Sequence, residues 1–193
     1  EIEIPSIWLS LDEGDNDPVC FLHYILFALE TIIPDIKDNF AGMLHGIQPN
    51  QIENIINLLV NEIATYSKPF ILVFDDFHII ESKIVFQMVT YILEHIPEQM
   101  HLVIITRTDP PLPLSRFRVR NQLLDIRADQ LRFTADEIAA FLVDMKRLKI
   151  SADDLSALEK RTEGWIAGLQ LAALSMQGCK DVHTFVSEFT GSH

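Results

Sequence analysis

The feature that most constrains the fold is a continuous apolar run, Phe70–Phe74, that ends in two adjacent acids, Asp75 and Asp76. Five apolar residues without polar alternation indicate a strand that is covered on both faces, as in a parallel sheet flanked by helices. The run 101–105 repeats this pattern and is followed by Thr106 and Arg107. The sequence therefore predicts at least two buried parallel strands with polar residues at their carboxyl ends.

The order of the remaining patterns predicts two domains. Ile7–Leu11 is a further candidate strand, and Leu123–Arg127 is a weaker fourth one, with helical spacing between the strands. From Thr134 onwards only helical patterns occur. The sequence thus predicts a parallel α/β domain at residues 1–130 and a small all-helical subdomain at residues 131–193.

Several helix ends are marked by specific residues. Asp17 can cap a helix whose apolar spacing continues to Pro34, and a loop is expected around Gly42–Pro49. Thr134 and Glu137 have the spacing of a capping box, in which each side chain bonds the other residue's backbone.

Charge and cysteine usage limit the classes of function. The chain has 28 acidic and 15 basic residues, and its formal charge of −13 opposes nonspecific binding to nucleic acid or to an anionic membrane. Cys20 and Cys179 lack the CxxC spacing of a metal site and are typical of reduced intracellular thiols. No apolar run reaches the roughly 18 residues of a membrane span, and the first residues lack the basic start of a secretory signal. We therefore expect a cytoplasmic location, and we expect the chain to be a segment of a longer protein.

The acids and the arginine predict phosphate chemistry. Ligands of parallel α/β sheets bind at the carboxyl ends of the strands. There Asp75 has the ligand type that Mg²⁺ prefers, and Asp76 can orient or deprotonate a water molecule. Arg107 can neutralise charge on a phosphoryl group. The alternative that these acids cap a helix or pair with an arginine stays open at this point.

One element of a nucleotide site is missing from the sequence. A P-loop requires G-x-x-x-x-G-K-[ST], whose backbone N–H groups surround the phosphates. None of the seven glycines stands in that arrangement. His78, His95 and His101 also lack the spacing of a helical zinc motif, so solvated or helix-end histidines are the simpler interpretation.

Four stretches carry a resemblance to a known family: residues 7–30, 70–80, 101–142 and 161–178. They resemble the ATPase module of the large ATP-binding transcriptional regulators of the LuxR type, the MalT-like group of signal-transduction ATPases with numerous domains. The resemblance implies a P-loop-NTPase-like sheet that is incomplete here. The family places the Walker A strand and loop just upstream of Glu1, so we expect a gap or altered strand pairing in the sheet.

The resemblance also implies site residues. Asp75 matches the Walker B aspartate that binds Mg²⁺, and Asp76 matches the catalytic acid beside it. Arg107 matches the sensor arginine, with a catalytic and a cofactor-binding role, and is the expected local counter-charge of the acids. Trp165 is assigned to cofactor binding because residues 164–169 occupy the place of a glycine-proline motif that contacts adenine. The proline of that motif is absent here.

The function that the resemblance implies belongs to the longer protein. It is a slow signalling ATPase that binds ATP and Mg²⁺, self-associates, and binds a small-molecule inducer and DNA through domains outside this chain. We expect the 193 residues alone to bind no cofactor and to be inactive, since they lack Walker A. The alternative is a catalytically silent NTPase-like module used for docking or oligomerisation. A Walker A motif before Glu1 would favour the ATPase.

Overall fold

The computed structural model describes residues 4–44, 51–179 and 181–189. The chain forms two compact units, Glu1–Arg120 and Asn121–His193. The predicted domain boundary, at residue 130, lies ten residues beyond this division.

The first unit contains a sheet and five helices. Its strands are β1 (Ser6–Ser10), β2 (Phe70–Asp75) and β3 (Met100–Ile104). Its helices are α1 (Pro18–Leu29), α2 (Ile36–Leu44), α3 (Ile52–Thr65), α4 (Lys83–Glu94) and α5 (Leu114–Val119). Short 3₁₀ turns at Glu13–Asn16 and Phe77–Ile79 follow β1 and β2.

The three strands are parallel and lie in the order β1-β2-β3. In the register, Leu9 lies beside Phe74, and Phe74 beside Ile104. A parallel sheet flanked by helices confirms the predicted fold class, an incomplete P-loop-like α/β fold. Of the two outcomes expected for the incomplete sheet, a gap or altered strand pairing, the described strands show no gap, because β2 bonds directly to a neighbour on each side.

Burial along the strands follows from their position in the sheet. Ile7 and Leu9 of β1 are buried, whereas Trp8 between them is 58% exposed, so one face of β1 is covered and the other is open at Trp8. In the central strand Phe70, Leu72, Val73 and Phe74 are all buried. The ring of Phe21 on α1 meets that of Phe74 edge to face, with centroids 5.4 Å apart.

Two helix predictions in the first unit need correction. Asp17 caps α1 as predicted, and its side chain accepts hydrogen bonds from the N–H groups of Val19 and Cys20. However, α1 ends at Leu29 rather than at Pro34, and Asp35 then adopts a left-handed conformation (φ 64°) that redirects the chain. Helix α2 covers part of the predicted loop, since Gly42 lies inside it. The rest of that loop, residues 45–50, lies outside the described residues.

The second unit is helical. It contains a 3₁₀ turn (Ala128–Leu131), α6 (Ala135–Ala139), a π-helical segment (Ala140–Met145), α7 (Ala152–Thr162), α8 (Ile166–Met176) and α9 (Val182–Glu188). The predicted capping box is confirmed, because the Thr134 hydroxyl accepts the N–H of Glu137 and the Glu137 carboxylate accepts that of Thr134.

The predicted fourth strand is wrong. Residues 123–127 have no regular structure, and Leu124 is 84% and Ile126 58% exposed. Apolar alternation over five residues indicates a strand only where a neighbouring strand supplies hydrogen bonds and a core supplies burial. No helix formed by the described residues combines the length and apolar character needed to cross a membrane.

Candidate functional site

The ends of all three strands meet at one edge of the sheet. The N–H of Leu11, just after β1, donates to the carbonyl of Asp75 at the end of β2 (3.0 Å). The N–H of Ile105, just after β3, donates to the carbonyl of Phe74 (2.8 Å), and the N–H of Phe77 donates to the carbonyl of Ile105 (3.0 Å). The segments after the strands are therefore neighbours, as the sequence predicts for parallel strands.

The acid pair lies at the end of the central strand. Asp75 is half-buried, and one of its carboxylate oxygens accepts the N–H of Asp76 (2.9 Å). Asp76 has a left-handed backbone (φ 55°, ψ 31°), which costs a non-glycine residue roughly 1–2 kcal/mol. Its side chain is 47% exposed. The turn thus separates the two carboxylates: Asp75 is held by the strand, and Asp76 is presented to solvent.

His78 lies next to this pair. Its Nδ1 is 3.8 Å from Oδ1 of Asp76, which is longer than a hydrogen bond. That Nδ1 is buried and has no hydrogen-bond partner among the described residues. A buried nitrogen without a hydrogen-bond partner costs free energy, and this one lies beside the acid pair. The histidine spacing in the sequence gave no signal of this contact.

Arg107 follows β3 at the same edge and is exposed. Among the described residues it forms no ion pair with Asp75 or Asp76, so the expected local counter-charge is not in contact with the acids. Thr106 before it is held locally, because its hydroxyl donates to the carbonyl of Thr108 (2.8 Å). An exposed arginine without an ion pair retains its donors for a ligand.

Trp165 belongs to the second unit and lies at the start of α8. Gly164 before it has φ 77°, and its carbonyl accepts the N–H of Phe133 (2.8 Å). Trp165 is 40% exposed, and the guanidinium of Arg132 lies 5.9 Å from its ring centroid. The indole is therefore accessible, with a cation over it.

A clamp between the first two strand ends was missed in the sequence. The side-chain oxygen of Asn16 accepts the N–H groups of Glu81 (2.7 Å) and Ser82 (3.0 Å), and its amide donates to the carbonyl of Ile79 (3.2 Å). Asn16 thereby fixes the segment that follows Asp76. The only signal in the sequence was that Asn16 lies in the polar loop after β1. A residue that merely caps a helix or forms a turn gives the same signal.

A metal centre made of protein ligands alone is not present in the described part of the chain, where no three His, Cys, Asp or Glu side chains gather closely enough to hold an ion. The acid pair does fit Mg²⁺, which typically takes one or two carboxylates and completes its shell with water and phosphate oxygens. Asp75 and Asp76 supply that oxygen donor set.

The fold and this edge define the class of the chain: an incomplete P-loop-type α/β module followed by helices. No family model matches the chain. The HTH-type transcriptional regulator MalT of Klebsiella pneumoniae subsp. pneumoniae is 36% identical over 168 residues, which is 87% of this chain and 19% of that protein. MalT of Serratia proteamaculans is 34% identical over 170 residues. MalT of Cronobacter sakazakii is 32% identical over 185 residues, 95% of this chain and 20% of that protein.

The chain is therefore a MalT-like segment, and this confirms the resemblance seen in the sequence. It spans about a fifth of the length of the curated relatives that it matches.

Proposed function

We propose that this chain is part of the ATP-dependent switch module of a MalT-like regulator. The longer protein binds and hydrolyses ATP to control inducer-dependent self-association and DNA binding. The arrangement at the strand ends supports this proposal most: a half-buried and an exposed carboxylate follow the central strand, and an arginine follows its neighbour.

Each of these residues has a distinct role in the proposal. Asp75 binds Mg²⁺, because it is held in place by the strand and by its bond to the Asp76 N–H. Asp76 orients the attacking water and accepts its proton, because its carboxylate is exposed beside the strand end. Arg107 stabilises negative charge on the phosphate. Bound Mg²⁺ supplies the remaining charge neutralisation. Trp165 stays a proposed cofactor contact.

The proposed partners follow from the relatives and from the charge of the chain. The relatives are regulators of the helix-turn-helix type, and this chain has a net charge of −13. DNA and inducer are therefore assigned to the remainder of the longer protein, in the cytoplasm, and self-association to the switch as a whole.

The chain alone is expected to bind Mg-ATP weakly or not at all, since it lacks the backbone cradle of a P-loop. Isothermal titration calorimetry of the 193 residues with Mg-ATP checks this. Micromolar binding would contradict the assignment of the phosphate cradle to another segment.

The role of Asp76 is tested in the longer protein by Asp76→Asn. We expect hydrolysis to fall at least a hundredfold while ATP affinity changes less than threefold, because amide and carboxylate have the same shape and differ in basicity. Asp38→Asn, an exposed change on α2, is the matched control. Equal losses of binding and hydrolysis would contradict the role.

The second candidate function is a catalytically silent docking or oligomerisation module. The observation that favours this candidate is that, among the described residues, Arg107 forms no ion pair with either acid. A longer protein that binds ATP without measurable turnover would favour this candidate over the ATPase.

A further inference from the structure

The outer edge of β1 has free backbone groups. The backbone of Pro5 and Leu11 bonds to β2. Because the bonding side alternates along a strand, Ser6, Trp8 and Ser10 turn their N–H and C=O groups to the other side. Within the described sheet β1 has β2 as its single neighbour, so this side can accept another strand.

A groove of about 530 Å³ runs along this edge, between β1 and α1. Three large aromatic side chains line it, and each is mostly exposed: Trp8 (58%), Tyr24 (56%) and Phe27 (64%). Exposed aromatic side chains gathered in one groove are typical of an interaction surface rather than of scattered surface residues.

The groove also contains acidic residues, Asp12 and Asp15. Asp15 is only 2% exposed; one carboxylate oxygen accepts the N–H of Asp12 (2.8 Å), and the other has no hydrogen-bond partner among the described residues. Burial raises the pKa of this carboxyl above its ordinary value. A buried oxygen without a donor is unfavourable, and a cationic donor relieves that cost.

The charge around the groove selects a basic partner. The first 106 residues contain sixteen acidic residues and three lysines, Lys37, Lys68 and Lys83. One of the groove aromatics already contacts a cation, because the Lys37 ammonium lies 4.8 Å from the ring centroid of Phe27. The negative charge of this part of the chain and the local contacts of the groove thus both favour a positively charged ligand.

We propose that the outer edge of β1 binds an extended basic segment of another protein, which adds a strand to the sheet and places an arginine or lysine beside Asp12 and Asp15. The strand's backbone bonds to Ser6, Trp8 and Ser10, and its alternate side chains contact the aromatics of the groove. This site is separate from the acid pair and does not depend on ATP.

The probe is a blocked seven-residue peptide of alternating valine and threonine with an arginine at each end, so that either strand direction places a cation at the acidic end. Amide hydrogen exchange of the 193-residue chain is followed by NMR. We expect the amides of Ser6, Trp8 and Ser10 to become at least tenfold more protected, while those of Ile7 and Leu9 change less. Unchanged exchange at the three edge amides under saturating peptide would overturn the proposal.

Charge is tested with the same peptide carrying glutamate at both ends, which we expect to bind at least tenfold more weakly. Equal affinity of the two peptides would refute the assignment to a basic partner. Protection of the three edge amides by the chain alone, rising with its concentration, would instead assign the edge to a second copy and overturn the proposal.

The groove itself is tested with Trp8→Thr, which we expect to weaken binding of the arginine peptide about tenfold without unfolding the chain, because the indole is mostly exposed. Val119→Thr, at a residue 86% exposed on α5, is the control that keeps full affinity. Equal binding by Trp8→Thr and the unaltered chain would refute the role of the aromatics. Asp15→Asn adds a test of the buried acid: undiminished affinity of this folded variant contradicts its role.

Discussion

Gly164 offers the sharpest test of packing in the second unit. It has φ 77°, and a Cβ built on it would lie 2.6 Å from the carbonyl oxygen of Phe133. Alanine at this position therefore meets two separate obstacles, a left-handed backbone and a collision with backbone that has no flexible end to move aside.

The two costs add to a measurable destabilisation. A left-handed conformation costs a residue with a Cβ roughly 1–2 kcal/mol. The collision forces Phe133 away and weakens the bond from its N–H to the Gly164 carbonyl, which contributes about 1 kcal/mol. We expect Gly164→Ala to lower the free energy of unfolding by about 2–3 kcal/mol in all.

Two other glycines separate these costs. Gly178 has φ 86° with nothing within 4 Å of its added Cβ, so Gly178→Ala is expected to lose only the backbone cost, about 1–2 kcal/mol. Gly42 lies inside α2 with open space around it, so Gly42→Ala is expected to gain about 0.5–1 kcal/mol.

The assay is urea unfolding followed by tryptophan fluorescence. The chain has two tryptophans: Trp8→Phe leaves Trp165 as the single reporter in the second unit, beside Gly164, and Trp165→Phe leaves Trp8 as the single reporter in the first unit, which contains Gly42. Midpoints and slopes give the unfolding free energies. Equal losses for Gly164→Ala and Gly178→Ala would refute the argument, because the contact with Phe133 would then contribute nothing.

Three further changes test other contacts. Asn16→Ala removes hydrogen bonds to four backbone groups, so we expect a loss of about 1–3 kcal/mol and faster amide exchange at Ser82, with unchanged exchange contradicting the clamp. Thr134→Ala removes a helix cap and should cost about 1 kcal/mol in urea unfolding, whereas Thr134→Ser should cost little. The hydrogen bond from His183 to Asp154 (2.7 Å) raises the pKa of His183 above 6.5, and bonds from Ser151 and His183 lower that of Asp154 below 3.8. The stabilisation from this hydrogen bond is therefore complete between pH 3.8 and pH 6.5. It is lost as the pH rises through the raised pKa of His183, and it is lost again as the pH falls through the lowered pKa of Asp154. Urea midpoints of His183→Asn should therefore fall below those of the unaltered chain at pH 5.5 and approach them at pH 9; a pH-independent difference would contradict this linkage.

The acid pair shows which part of the site the sequence could predict. An apolar run that ends in Asp75 and Asp76 requires a buried strand with its charges at the end, because buried carboxylates without partners are too costly. The contacts around the pair were not predictable. His78 lies beside Asp76 in the turn after β2, and Asn16 bonds the following segment, residues 79–82, from a loop 63 to 66 residues earlier in the chain; no local pattern records such contacts.

Two of the wrong predictions in the fold have a related cause. Leu123–Arg127 has the composition of a strand, yet it has no neighbouring strand and no core to cover its apolar side chains. The loop expected around Gly42 is partly helical, because a glycine weakens a helix by only about 1 kcal/mol and the other residues of α2 compensate for that loss.

The sequence by itself determined where the three observed strands lie, where the capped helices begin and which residues carry charge to the strand ends. These properties follow from the local chemistry of neighbouring residues: apolar runs, capping side chains and glycines. The tertiary structure decided the order of the strands, the free edge of β1 with its aromatic groove, and the burial of Asp15. Those features depend on which distant segments share a surface, and the energy of such contacts is not encoded in any single stretch of the chain.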